Sequence, residues 1–136
     1  MAYVQYDMVD EHPPVNINNR KIFMPENVQM VVARDNVSQI ITFKINRYFE
    51  GVDFSEKDCA IKYINANKEY GKVNAANVEV EDDKFIFCWI LDDNVAAKAG
   101  VVKFAIEFSG LNEHNQPYIW QTTAALLKVE EGIWVE

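Results

Sequence analysis

The stretch Gly100–Phe108, GVVKFAIEF, decides how the rest of the chain reads. Val102, Phe104, Ile106 and Phe108 recur at a spacing of two, and Lys103 and Glu107 fall between them. An extended strand sends alternate side chains to opposite faces and separates these two sets, whereas a helix would scatter them around its circumference. One apolar and one polar face describe a strand buried on one side. Ser38–Ile45 repeats the pattern, with Ile41, Phe43 and Ile45 set against Thr42 and Lys44. Cys59–Asn65 repeats it again, with Cys59, Ile61 and Tyr63 on one side and Lys62 on the other.

Lys84–Leu91, KFIFCWIL, departs from this rule. Phe85, Phe87, Trp89 and Leu91 form one face, but Ile86, Cys88 and Ile90 make the second face apolar as well, so both need cover. Two covers are open, the N-terminal segment of the same chain or a second subunit. The latter makes Ile86, Cys88 and Ile90 candidate partner or oligomer contacts. Trp134, in the apolar tail EGIWVE, is another such candidate, because a tail of this kind either tucks onto its domain or serves association.

Turn signals separate the strands. They lie at Ala66–Gly71 (ANKEYG), Glu81–Lys84 (EDDK) and Leu111–Pro117 (LNEHNQP), the last leading to a long final strand near 118–129. Asp92–Ala99 is the one stretch suited to a helical turn, with an Asp to cap it and Gly100 to stop it. Arg20–Met24 and Val28–Ala33 read as strands on either side of Pro25, and Ala2–Val9 as a short one. Asp10–Asn19 reads as a connector, because its Pro pair favours extended backbone and opposes helix. The expected organisation is an N-terminal arm and connector over residues 1–19 and a β-sandwich over 20–136. Seven to nine short strands without a long amphipathic helix predict an all-β, antiparallel, Ig-like sandwich. Phe43, Ile61, Phe87, Trp89, Phe104 and Ile106 are its expected core.

The 136 residues suit one domain. Acids outnumber bases 21 to 13, for a net charge of −8, and the bases are scattered singly, which argues against a nucleic-acid partner. No apolar run approaches the length of a membrane span, and the first twelve residues lack the basic and apolar regions of a signal peptide. Cys59 and Cys88 have no metal-ligand spacing and sit in strand-like apolar surroundings, where buried free thiols are expected.

Catalytic signatures are missing from the sequence. It has no Gly-x-Ser-x-Gly elbow and no Gly-rich phosphate loop. His12 and His114 lie in polar connectors, and the paired acids, such as Glu50 with Asp53, lie in turns. No cofactor and no catalytic residue is expected. Tyr70, Tyr118 and Trp120 are the candidates for an exposed aromatic platform that would bind a glycan.

Arg47-Tyr48-Phe49-Glu50-Gly51-Val52-Asp53 follows directly on strand 38–45. Gly51 allows a positive φ for a sharp turn, Phe49 can pack beneath it, and Asp53 can bond local backbone amides. Arg47, Phe49, Gly51 and Asp53 therefore read as a structural corner.

That corner, the Tyr-x-Asn-Ala turn that follows, the aromatic-Trp strand, the Ala-Gly before GVVKFAIEF, the Trp-x-Thr-Thr of YIWQTT and the Glu-Gly-Ile exit together resemble a domain of tailed-phage and prophage structural proteins. The likeness runs over about residues 38–133 and is to the N-terminal domains of upper-baseplate and fibre-type virion proteins. It implies a noncatalytic β-sandwich that forms homo-oligomers and attaches to other virion proteins of a tail, baseplate or fibre. Its place would be the virion, after synthesis in the host cytoplasm. A capsid decoration protein is the alternative, as is a sandwich that binds a host-surface glycan or receptor.

Overall fold

The computed structural model describes residues 3–26 and 28–133, and these form an all-β sandwich. The strands are β1 (Val15–Asn18), β2 (Lys21–Phe23), β3 (Val31–Val32), β4 (Gln39–Asn46), β5 (Tyr48–Phe49) and β6 (Val52–Asp53), then a 3₁₀ turn at Phe54–Glu56. There follow β7 (Asp58–Ile64), β8 (Tyr70–Asn74), β9 (Ala76–Val80), β10 (Lys84–Leu91), β11 (Gly100–Leu111), β12 (Pro117–Gln121) and β13 (Ala125–Glu130). One sheet has the order β2-β1-β4-β10-β9. The other runs β3-β13-β11-β7-β8, with β12 also beside β11, and β5 and β6 form a separate ribbon. Pairing is antiparallel except for β1 with β4 and β3 with β13, where short N-terminal strands run alongside longer ones.

The alternation in GVVKFAIEF and KFIFCWIL sets the core. Phe43 stacks on Phe87 at 5.3 Å and meets Phe104 of the opposite sheet at 6.0 Å. Trp89 meets Phe104 at 4.8 Å, and Phe85 meets Phe108 at 5.4 Å. Phe43, Ile61, Phe87, Trp89, Phe104 and Ile106 are all buried between the sheets.

Three local readings change. Val15–Asn18 is not connector but a strand inside a sheet, because Val15 and Ile17 alternate inward and the Pro pair before them delivers the chain already extended. The sandwich therefore begins before residue 20. Tyr3–Val9 forms no strand, and only Val31–Val32 of the segment 28–33 pairs with a neighbour. Asp92–Ala99 contains the helical turn expected of it, capped by Asp92. Its first turn closes through Val95 N–H on the Asp92 carboxylate and Ala96 N–H on the Asp92 carbonyl, with Val95 and Ala96 buried.

The final strand is broken by a bulge. Glu107 faces Gln121 and Phe104 faces Ala125, so four steps along β12–β13 match three along β11. Thr122 fills the irregularity. Its N–H donates to the Ile106 carbonyl, and its hydroxyl accepts the buried Ile106 N–H at 2.9 Å. Thr123 then reaches the other sheet and donates its N–H to the Arg20 carbonyl. Asn19 and Arg20 form the two-residue β1–β2 turn with φ of 48° and 72°, the left-handed pair that matches hairpin twist. The Arg20 guanidinium lies 4.9 Å from the Trp120 ring and donates to the Gln121 carbonyl. One end of the sandwich is thus closed by a hairpin tip tied to a bulge.

Phe43→Ala is expected to lower unfolding free energy by about 3–5 kcal/mol in urea titrations, through lost burial and a residual cavity. Thr122→Val, nearly isosteric, should cost about 1–3 kcal/mol because it leaves the Ile106 N–H buried without an acceptor.

Candidate interaction surface

The six-stranded sheet ends at β8. Asn65 N–H bonds the Glu69 carbonyl, and Ala75 N–H bonds the Cys59 carbonyl. In an antiparallel ladder bonded pairs alternate, so Gly71 and Val73 turn their main-chain groups toward β7. Tyr70, Lys72 and Asn74 therefore turn theirs outward. Gly71 is required here, because a Cβ would collide with the Tyr63 ring that folds against it. Tyr63 is itself fixed by a 2.6 Å bond from the Asn94 amide to its hydroxyl.

The outer face beside this edge is basic. Register places Lys72 opposite Lys62, Lys62 opposite Ala105, and Lys103 opposite both Ile64 and Leu126. Glu107, nearly buried, takes Lys72 Nζ at 2.8 Å and Lys62 Nζ at 3.3 Å. Burial pushes its carboxyl up, but the two ammonium groups outweigh this and hold it below the usual range. Lys103 has no ion-pair or hydrogen-bond partner among the described residues. The lysine stems, Tyr70, Gly71, Ile64 and Ala105 enclose an open trough of about 500 Å³. Tyr70 is 82% exposed, and Val101, Ile119 and Leu126 are exposed on the same sheet. Three lysines thus line an apolar trough on one face of a chain whose net charge is −8.

The outer face of the other sheet is partly covered by the chain itself. Asn77 N–H donates to the Val4 carbonyl, and its side chain bonds both main-chain groups of Tyr6. Asp10 accepts the Thr42 N–H at 3.0 Å and the Gln29 amide at 2.8 Å, and Gln29 also donates to the Ile40 carbonyl. These two side chains satisfy β4 where β1 does not reach it. Tyr3 donates to the Lys57 carbonyl and accepts the Cys59 N–H, and burial pushes its hydroxyl up to about 12.

Cys88 lies beneath this cover, 6% exposed and 3.4 Å from the Thr42 hydroxyl. Its reading as a subunit contact is corrected, since its own chain buries it. Ile86 and Ile90 are half-buried on the same face. Both cysteines are free and buried, and burial raises both thiols above their ordinary value. Trp134 lies outside the described residues.

The three-aromatic platform does not form. Trp120 is 2% exposed and packs on Phe54 at 4.9 Å and Phe49 at 5.2 Å, because β12 turns Ile119 rather than Trp120 outward. Tyr118 is half-buried beneath the Lys57 ammonium, on a different surface from Tyr70.

At the corner, Arg47 bonds Asp53 twice, both at 3.0 Å, and Asp53 also accepts the Ser55 N–H and hydroxyl. Glu50 and Gly51, with φ of 48° and 83°, form the β5–β6 turn, and Phe49 stacks on Phe54. Asp53 shares a recess of about 780 Å³ with Glu50 and His114. The Arg47 guanidinium holds its carboxyl down to about 2 against the opposing effect of burial, with Ser55 assisting. A carboxyl so committed is no proton donor at neutral pH. No group of three or more metal-ligating side chains is assembled among the described residues.

No protein-family model matches this chain, and no curated protein matches it significantly. Sequence reasoning placed Lys62 and Lys103 on polar faces but missed the site they make with Lys72 and the β8 edge. The alternation assigns each lysine a face, and only strand register brings them together.

Because the folded state lowers the Asp53 pKa below its ordinary 3.8, the stability this group contributes is complete above about pH 4. It is lost as pH falls toward 2. Asp53→Asn should therefore be less stable at neutral pH and flatten the acid-unfolding curve between pH 4 and 2 in a circular-dichroism titration. The loss that begins nearer pH 4.5 through Glu107 should persist.

Proposed function

We propose that this chain is a noncatalytic virion structural protein of a tailed phage or prophage, an attachment or assembly module of a tail, baseplate or fibre. The observation that carries this reading is the contrast between its two sheets. One outer face is partly covered by the chain's own N-terminal segment, while the other presents exposed apolar residues among lysines beside a strand edge that no described segment pairs. A face built this way suits a protein partner. The side chains that carry the resemblance are consistent with a scaffold: Arg47, Phe49, Asp53, Trp89 and Trp120 serve the corner and the core. A capsid decoration role would use the same face.

The glycan reading loses its aromatic support once Trp120 is buried. Light scattering of the purified chain over a range of concentrations, followed by pulldown against dissociated virion components, tests the assembly reading. A discrete oligomer, or a monomer captured by a virion protein, is the expected result. A monomer at every concentration that captures no virion component would refute it.

A further inference from the structure

The run Tyr70–Val80 is one extended segment that changes sheet at Ala75, and its two halves are managed differently. The β9 half has its free side occupied by Val4 and Tyr6 of the same chain. The β8 half ends the other sheet, and among the described residues no segment bonds the outward groups of Tyr70, Lys72 and Asn74. An open edge is a template for another strand, which proteins ordinarily blunt with a projecting lysine. Here the Lys72 ammonium is drawn across the sheet face to Glu107 and leaves the edge clear.

The chemistry beside the edge selects the occupant. A strand added to β8 would lay alternate side chains next to Tyr70, Lys72 and Asn74, over the mouth of the trough. Three lysines there face one carboxylate, and Lys103 is unpaired among the described residues. The chain supplies its own example of an acidic segment bonded to a strand edge. Residues 3–12, YVQYDMVDEH, contain Asp7, Asp10 and Glu11 and no Lys or Arg, and within them Val4 and Tyr6 already bond Asn77 on the β9 edge.

We propose that the β8 edge and its lysine-lined trough receive an extended acidic segment of a partner protein. The segment adds as a further strand of the six-stranded sheet, with its carboxylates toward Lys72 and with Lys62 and Lys103 behind it. This rests on the assembly reading and names the kind of partner that reading requires.

The test uses the full chain, ¹⁵N-labelled, with a synthetic peptide of residues 3–12 as the acidic probe. The control peptide carries Asp7→Lys, Asp10→Lys and Glu11→Lys. In the free protein the Tyr70, Lys72 and Asn74 amides should exchange with solvent quickly and those of Gly71 and Val73 slowly. The acidic probe should slow the first three by roughly tenfold at saturation, the control should not, and added salt should reverse the effect. Lys72→Pro removes the outward donor but spares the ladder, which runs through Gly71 and Val73, so the fold should survive and binding should be lost. Lys103→Glu should weaken binding by about fivefold.

A probe that leaves the three amides unchanged, or that binds Lys72→Pro as well as the parent, overturns the proposal. So does protection of these amides by self-association without peptide, which would assign the edge to a second copy. If Lys72→Pro still captures virion components, strand addition fails while the assembly reading stands. If the probe binds but no virion component does, the reverse holds.

Discussion

The structure depends on aromatic packing between two sheets. Phe43, Phe85, Phe87 and Trp89 come from adjacent strands of one sheet, Phe104 and Phe108 from the central strand of the other, and their rings meet across the interior. A single sheet with one apolar face cannot stand in water, and burying that face against a second one supplies the main favourable term in folding. The long strands β4, β10 and β11 are fixed by this contact. The short ones are positioned by what the long ones leave unfinished.

The arginine contacts show how the periphery follows from the core. Trp120 completes the aromatic stack through Phe54 and Phe108, and Arg20 from the opposite sheet caps its ring. Arg47 and Asp53 lock the β5–β6 ribbon, which delivers Phe49 and Phe54 to the same cluster. Asp53, one of the paired acids in the turns, is here engaged in holding a corner. Part-buried and doubly bonded by Arg47, its carboxylate is a fixed anion that sets the geometry of the turn.

Edges are the remaining problem of an open sandwich. β3 is two residues long, β2 is three, and β9 is shielded by the N-terminal segment. The outer edge of β8 has no partner among the described residues and lies beside three lysines, in a chain whose overall charge is strongly negative. The two halves of the Tyr70–Val80 run are thus finished differently, one covered by its own chain and one not.

Fold class and core are both legible in the order of residues. Period two in GVVKFAIEF, the double-faced KFIFCWIL and the turn residues between strands are local signals, since alternation is a property of consecutive residues. The corner is legible there too, because Glu50-Gly51 and the nearby Arg47 and Asp53 interact over a few residues. The fate of Val15–Asn18 was decided only in three dimensions, since four residues after a Pro pair read equally as connector or strand until a neighbour accepts them. The same is true of Trp120. Its strand alternates too weakly in composition to show which face turns inward, and packing on Phe49 and Phe54 settles it. The basic trough is the clearest case: Lys62, Lys72 and Lys103 are far apart in the chain, and strand register, a product of the whole sheet, makes them neighbours.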